Sequence, residues 1–137
     1  MILNSHHGAW HGPNRLWFEG PDPERSDGRV EVSATTIKYT WSFRGQGQEG
    51  RLRFFGPEGA LRAEWTDSWH TKEGMALHGR YEQGVLVLFG TYPVGDGVEW
   101  GWRIELDVRD PEHFLLRMFN IEPGQSGTAA VDLRGAR

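Results

Sequence analysis

Cysteine is absent from the 137-residue chain. Its absence excludes disulfides, thiolate metal sites and a cysteine nucleophile. No stretch approaches the roughly 18 apolar residues of a membrane span, so no membrane partner is expected. The start of the chain has neither a basic residue nor an apolar core of useful length, which argues against a signal peptide. From these absences we expect a soluble protein of the cytoplasm.

Basic residues are also scarce. Lysine and arginine together number 15 against 19 acidic residues, and the formal net charge is −4. The longest basic block is Arg51-Leu52-Arg53. Nucleic-acid binding needs a basic stripe that neutralises phosphates, and this block is too short to supply one. Nucleic acid is therefore not expected as a partner.

Aromatic residues and glycine, by contrast, are plentiful, with 7 Trp, 7 Phe, 3 Tyr and 19 Gly. Frequent glycine is typical of many short strands joined by tight turns. The length matches one ordinary domain and leaves no room for a second core. We expect residues 1–137 to form a single domain.

Period-2 alternation of apolar and polar residues dominates the chain, and no segment has helical periodicity over two turns. From Val98 to Val108 the apolar residues occupy every second position, with Glu, Gly, Arg and Asp between them. The run from Ile37 to Arg44 repeats the pattern. A half-buried strand segregates residues in this way, whereas a helix would scatter them around its circumference.

Turn signals divide the rest of the chain into further strands, with one longer Pro- and charge-rich loop from Gly20 to Gly28. The other predicted strands are Ala9–Glu19, Arg29–Thr35, Glu49–Phe55, Ala60–His70, Met75–Tyr81, Val85–Tyr92, His113–Ile121 and Thr128–Arg134. An open sheet of about ten strands with short connections would leave two edge strands unpaired, and closing the sheet into a barrel pairs them. We predict an all-β, antiparallel up-and-down barrel; a β-sandwich explains the alternation nearly as well but usually has longer crossings.

Following the alternation inward gives a candidate lumen rich in aromatic side chains, with Trp10 among them. The candidate ligand-binding residues are Asn14, Tyr39, Trp41, Trp65, Asp67, Trp69, Tyr81, Trp100, Trp102, Arg117, Met118 and Asn120. Such a lining, with few polar groups, is typical of small-molecule pockets. No cofactor is indicated.

Asp67 is the most informative member of this set because it lies between Trp65 and Trp69 on the same predicted face. An enclosed carboxylate either pairs with a cation or has its pKa raised by desolvation. It either orients a ligand or acts as a general acid or base. Alternatively, it accepts hydrogen bonds that anchor the core, and this structural role is favoured.

The segment Asp67-Ser68-Trp69-His70 contains the residue types of a hydrolase triad. In an extended strand, Ser68 and His70 share one face while Asp67 points the other way. The three side chains therefore form no relay, and no Gly-x-Ser-x-Gly elbow occurs elsewhere. Serine hydrolysis is not expected.

The other histidines are weaker candidates. His6, His7 and His11 have the chemistry to bind a transition metal, but a position at the terminus favours frayed surface residues. His78 and His113 have the chemistry to ligate haem, although a lone histidine is more often a surface residue. No metal site is therefore predicted.

Two arginines lie within hydrophobic strands. Arg103 shares its face with acidic residues, so we predict a structural role on the outer surface. Arg117 has apolar neighbours on both faces, which leaves its orientation open between the lumen and the outside. An inward guanidinium would grip a ligand carboxylate bidentately.

The opening Gly8-Ala9-Trp10-His11-Gly12, followed by Asn14-Arg15-Leu16-Trp17, resembles the first strand of calycin-like barrels, the lipocalin and fatty-acid-binding superfamily. That resemblance implies that Trp10 packs against an arginine at the barrel base, here Arg117 or Arg134. We identify no residue that matches the proximal histidine of the haem-binding nitrobindins, which are also calycin-like.

The whole chain is similar to an uncharacterised bacterial family of small calycin-like domains, for which no activity is implied. The similarity covers nearly the full length. It rests on the opening segment and on Tyr39-Thr40-Trp41, Gln48-Glu49-Gly50, Asp67-Ser68-Trp69-His70, Trp100-Gly101-Trp102-Arg103-Ile104 and Met118-Phe119-Asn120-Ile121.

Three functions fit these observations. The favoured one is a binding barrel for a small apolar or aromatic ligand, which a lumen filled by its own Trp and Phe side chains would argue against. A second is a lyase or isomerase with Asp67 as acid or base and Asn14, Tyr39 or Arg117 holding the substrate. A third is a homodimeric interaction module whose patch contains Trp17 on the outer register beside Arg15 and Glu19.

Overall fold

The structure, a computed structural model, describes residues 3–18 and 20–137. Ten antiparallel strands form a closed barrel in which each strand pairs with its neighbours along the chain and β1 also pairs with β10. The strands are β1 Gly8–Leu16, β2 Glu24–Val32, β3 Thr36–Phe43, β4 Gln46–Phe55, β5 Leu61–Asp67, β6 Thr71–Glu82, β7 Val85–Gly95, β8 Val98–Asp107, β9 His113–Ile121 and β10 Thr128–Ala136. The predicted up-and-down barrel is confirmed, and the sandwich is excluded.

The strand boundaries differ from the predictions at two informative places. The predicted strand Ala60–His70 ends at Asp67, and residues 68–70 form a turn. The predicted loop Gly20–Gly28 is shorter, because β2 begins at Glu24 and pairs with β1 as far as Leu16. Two short 3₁₀ turns, at Asn4–His6 and Glu58–Ala60, interrupt the β structure. Across the described ranges, no helix is long and apolar enough to cross a membrane.

The two ends of the barrel differ. The capped end carries the 3₁₀ turn Asn4–His6 and the β2–β3, β4–β5, β6–β7 and β8–β9 connections; the mouth carries the other connections between strands. Alternating inward side chains fill the barrel from the capped end. The largest side chains with under 2% of their surface exposed are Trp10, Ile37, Leu52, Leu86, Leu88, Ile104, Leu106, Phe114 and Leu116 in the capped half, and Leu16, Tyr39 and Trp65 nearer the mouth. The capped half is therefore a packed core, as in other small barrels.

His6 closes the capped end and is 1% exposed. Its Nε2 lies 2.9 Å from the carbonyl oxygen of Asp110 and 3.0 Å from that of His113. Since carbonyl oxygens only accept, Nε2 carries a proton, while Nδ1 lies 2.8 Å from the Ser5 hydroxyl. The interpretation of His6 as a frayed surface residue is therefore wrong: the side chain ties the start of the chain to the β8–β9 connection.

Trp10 packs beneath this cap. Its ring stacks on that of His6 at 5.0 Å between centroids, and its indole N–H donates to the His6 carbonyl at 2.8 Å. The guanidinium carbon of Arg137 lies 4.2 Å from the indole centroid. The expected Trp–Arg contact at the base is thus present, but its arginine is Arg137. Arg117 and Arg134 were the wrong candidates because both lie on the outer surface, near Asp107 and Asp132 respectively.

Candidate functional site

At the mouth, the barrel wall opens between β6 and β7. Their pairing extends only from His78↔Phe89 to Glu82↔Val85 among the described residues, although both strands continue towards the mouth. A groove of about 550 Å³ occupies this opening, which we name the seam. Met75, Gly90 and Tyr92 are among the residues that line it.

A pair of stacked indoles lies directly behind the seam. Met75 is paired with Trp65 across β5 and β6, and Gly90 with Trp102 across β7 and β8. The Trp65 and Trp102 rings lie 5.2 Å apart with an interplanar angle of 17°. The seam is narrow at Gly90: an added Cβ there would lie 2.7 Å from the Ala76 carbonyl oxygen of β6, so glycine is needed at this position.

Asp67 is the last residue of β5, and its carboxylate organises the turn that follows. Its Oδ1 accepts hydrogen bonds from the backbone N–H groups of Trp69 and His70, both at 2.8 Å. This is the local capping that favours Asp at turns. The turn brings His70 Nδ1 to 3.3 Å from Oδ1, a contact whose geometry falls short of a hydrogen bond. The prediction that Asp67 and His70 point to opposite faces is wrong, because the strand ends at Asp67.

Ser68 does not join this pair. Its hydroxyl donates to Gln48 Oε1 at 2.7 Å and accepts from the backbone N–H of Glu49 at 2.9 Å. The described side chains of this turn therefore place an imidazole beside a carboxylate, with the Ser68 hydroxyl engaged elsewhere.

Tyr39 completes the support of Asp67 from β3. Its hydroxyl donates to Asp67 Oδ2 and accepts from the indole N–H of Trp65 at 2.8 Å. Burial, followed by the charge of Asp67, raises the pKa of Tyr39 well above 10.0. Burial also opposes ionisation of Asp67, but His70 and the hydrogen bond from Tyr39 outweigh it, and the pKa of Asp67 is lowered from 3.8. The ring of Tyr39 lies across Gly50, where an added Cβ would be 2.1 Å from it.

The imidazole of His70 is enclosed by three indoles. Its ring centroid lies 4.8 Å from that of Trp102, 5.9 Å from Trp41 and 6.1 Å from Trp65. Its side chain is 14% exposed. Within the described part of the chain, the N–H groups of Trp41 and Trp102 are buried without a hydrogen-bond partner. Most buried donors in proteins are paired, so these two N–H groups are unusual.

Three more aromatic rings cover the opposite side of the mouth from the seam. The Phe43 and Trp69 centroids lie 4.4 Å apart, and Phe18 lies 5.2 Å from Phe43 and 5.5 Å from Trp69. Arg44 extends over the rings of Phe43 and Phe18 and pairs with Glu24 at 3.1 Å. These rings and Arg44 form a rim over this side of the mouth.

The structure brings half of the sequence-predicted site residues together. Those gathered around His70 are Tyr39, Trp41, Trp65, Asp67, Trp69 and Trp102. Trp100 and Asn120 lie nearby on β8 and β9, where Tyr92 donates to Asn120 and pairs with Trp100 across the strands. The sequence did not identify His70, Phe18, Phe43 or Tyr92 as part of this site.

The remaining predicted site residues lie elsewhere. Tyr81 is half-buried on the capped half of β6, and Met118 is fully buried in β9. Asn14 is fully enclosed beside Ser26, and neither its amide oxygen nor its amide nitrogen has a partner among the described residues. Arg117 lies on the outer surface with Nη2 3.7 Å from Asp107 Oδ2. Its open orientation is thus resolved in favour of the outside, and it does not reach the lumen.

The outer surface contains the other residues singled out from the sequence. Arg103 packs over Phe119 at 4.4 Å and donates to the Ser126 carbonyl, as the predicted structural role requires. Trp17 donates to the Pro21 carbonyl at 3.2 Å, and Arg15 lies over its ring at 5.1 Å. Glu19, the third member of the predicted homodimer patch, lies outside the described residues. In residues 3–18 and 20–137, no three His, Asp or Glu side chains cluster closely enough to hold a metal ion.

The raised pKa of Tyr39 predicts a specific loss of stability in alkali. Below pH 10.0 Tyr39 is neutral in both states, but above it only the unfolded state ionises, so the free energy of unfolding falls as pH rises. We expect the wild type to lose up to about 1.4 kcal/mol per pH unit more than Tyr39→Phe in this range. Urea unfolding of both proteins from pH 9 to 11 measures the difference, and parallel curves would contradict the assignment.

Comparison with known proteins does not assign the chain to a family. No protein-family model matches the chain, and no curated protein matches it. The closed antiparallel barrel of ten strands is compatible with a calycin-like fold. The side chains of the mouth are therefore the basis for proposing its function.

Proposed function

We propose that this protein is a binding barrel for a small aromatic or apolar ligand, which enters through the seam and lies against Trp65, Trp102 and His70 at the mouth. The observation that carries the proposal is the pair of buried, unpartnered indole N–H groups, on Trp41 and Trp102, that flank His70. Aromatic surface with a few convergent polar groups is the typical composition of ligand sites.

The energetics favour a bound partner at this position. A buried donor without an acceptor costs about 1–3 kcal/mol, and a ligand atom that accepts from it recovers part of this cost. The rings contribute in addition about 25 cal/mol for each Å² of apolar surface removed from water. Both terms act at one place, because His70 contacts both indoles.

The packed capped half limits the size and position of the ligand. Side chains such as Leu86, Ile104 and Leu116 are fully buried there. A long ligand along the barrel axis would have to displace this core at several kcal/mol. The proposed ligand is therefore small and confined to the mouth, where Met75 and Tyr92 are only partly buried.

Fluorescence titration with N-phenylnaphthylamine, a neutral aromatic probe, tests the proposal. We expect saturable binding at one site, with at least tenfold weaker affinity in Trp102→Ala, because burying an aromatic side chain against a ligand is worth about 1.5–3 kcal/mol. Trp17→Ala is the matched control, since Trp17 lies outside the barrel, and its affinity should stay within twofold. Cooperative unfolding of both variants verifies that they are folded.

Failure of the probe to saturate the wild type, or equal losses in both variants, would contradict the proposal. Native mass spectrometry of the purified protein provides an independent readout, because a retained small molecule adds mass and identifies the ligand class directly. The alternative of acid or base catalysis by Asp67 has less support, since its carboxylate is enclosed and already accepts three hydrogen bonds.

A further inference from the structure

The hydrogen-bonding capacity of the mouth is unbalanced between acceptors and donors. Its carboxylate and the Tyr39 oxygen are engaged as acceptors: Asp67 accepts from Tyr39 and from two backbone N–H groups, and the Tyr39 oxygen accepts from Trp65. The amide oxygen of Asn120 accepts from the Tyr92 hydroxyl.

Apart from His70 Nδ1, which has no hydrogen-bond partner in the described part of the chain, the unused groups around His70 are indole donors. The N–H groups of Trp41 and Trp102 have no acceptor among the described residues, and these side chains belong to residues only 3% and 5% exposed. An indole N–H donates and never accepts. A ligand that completes this site must therefore bring acceptor atoms.

We infer that the ligand is an aromatic acid whose carboxylate accepts from Trp41 and Trp102 beside His70; this rests on the proposed function of the mouth. A carboxylate offers two oxygens, each able to accept from one indole. An enclosed carboxylate also needs a nearby cation. His70 is the residue there with a basic side chain: its ring lies beside both indoles, with Nδ1 3.3 Å from Asp67 Oδ1.

Other head groups fit the mouth less well. An amine brings further donors to a site where the unpartnered indole groups, on Trp41 and Trp102, are themselves donors. A purely apolar ligand fills the aromatic surface but leaves both indole N–H groups unpaired, which weakens its binding. The aromatic body of the ligand is matched by the Trp65–Trp102 stack, against which a ring packs in offset geometry.

Three probes with the same ring and different head groups test the inference: benzoate, benzyl alcohol and benzylamine. Calorimetric titration of the wild type should give at least tenfold tighter binding for benzoate than for either of the others. In Trp102→Phe, which keeps an aromatic ring and removes the N–H, the affinity for benzoate should fall about five- to tenfold. The affinity for benzyl alcohol should stay within twofold in that variant, and Trp17→Phe should alter neither.

The outcomes separate this inference from the function on which it rests. Equal binding of the three probes would support an aromatic binding site but would overturn the inference that its ligand is an acid. Tighter binding of benzylamine, or a Trp102→Phe variant that loses benzoate and benzyl alcohol equally, would also overturn it. If none of the probes binds and N-phenylnaphthylamine does not bind either, both the inference and the proposed function fail.

Discussion

Replacing Trp10 with alanine should lower the free energy of unfolding by about 3–5 kcal/mol, the range for removing a large buried aromatic side chain. Trp10 is fully buried and contacts three groups at once: the ring of His6, the ring of Phe114 and the guanidinium of Arg137. Its N–H donates to the His6 carbonyl. The substitution therefore leaves a cavity and releases the anchor of the capped end.

Chemical denaturation monitored by far-UV circular dichroism measures this change. Trp17→Ala removes the same side chain from the outer surface and should cost no more than about 1 kcal/mol, as surface substitutions usually do. Since whole domains are stable by only about 5–15 kcal/mol, Trp10→Ala will leave little stability. Trp10→Phe, which keeps a ring and loses the N–H, should lie between the two. A loss below 1 kcal/mol in Trp10→Ala would show that the cap does not stabilise the barrel.

The barrel architecture was predictable from the sequence because the alternation of apolar and polar residues is repeated in many strands. Alternation places apolar residues on one face of every strand, and a one-residue shift in register would expose all of them to solvent. Each strand therefore independently indicates which face is buried. The strand His113–Ile121 was predicted to the residue. Closure of the barrel followed from short connections and the need to remove sheet edges.

The site was harder to predict because it depends on a turn. Treating the residues up to His70 as extended strand separated Asp67 from His70, whereas the chain turns after Asp67 and brings them together. A local signal was available, since Asp commonly accepts from backbone N–H groups two or three residues ahead. Phe18 and Phe43 were missed for a different reason: their contacts join β1 and β3 to the turn after β5, and sequence distance conceals them.

The positions of two residues near the termini, His6 and Arg137, were also not predicted from the sequence. A histidine near the start of a chain is usually frayed, but His6 is held by two carbonyl groups more than 100 residues away. Arg137 was overlooked as the partner of Trp10 because it follows the predicted last strand, although it also donates to the carbonyls of Ser5 and His7. Closing a barrel brings the first and last strands together, so the two termini stabilise each other.

Asp67→Ala should cost about 3–5 kcal/mol of folding free energy, because removing one partner of a buried charged network leaves the others unsatisfied. The hydroxyl of Tyr39 and the backbone N–H groups of Trp69 and His70 all lose their acceptor. Asp67→Asn keeps one oxygen for the turn and should cost roughly half as much. Asp27→Asn, at an exposed position of β2, is the matched control and should stay within about 0.5 kcal/mol.

Lowering the pH tests how much the negative charge of Asp67 contributes to stability, separately from the size and shape of its side chain. The pKa of Asp67 is lowered in the folded state, so its contribution is complete above the unfolded value of 3.8 and is lost as pH falls towards the folded value. The difference in unfolding free energy between the wild type and Asp67→Asn should therefore be constant from pH 7 to 5. It should then narrow below pH 3.8, by at most about 1.4 kcal/mol per pH unit. Other carboxylates titrate in both proteins and cancel in the difference, so a gap that stays constant in acid would mean that the buried carboxylate is not held ionised by Tyr39 and His70.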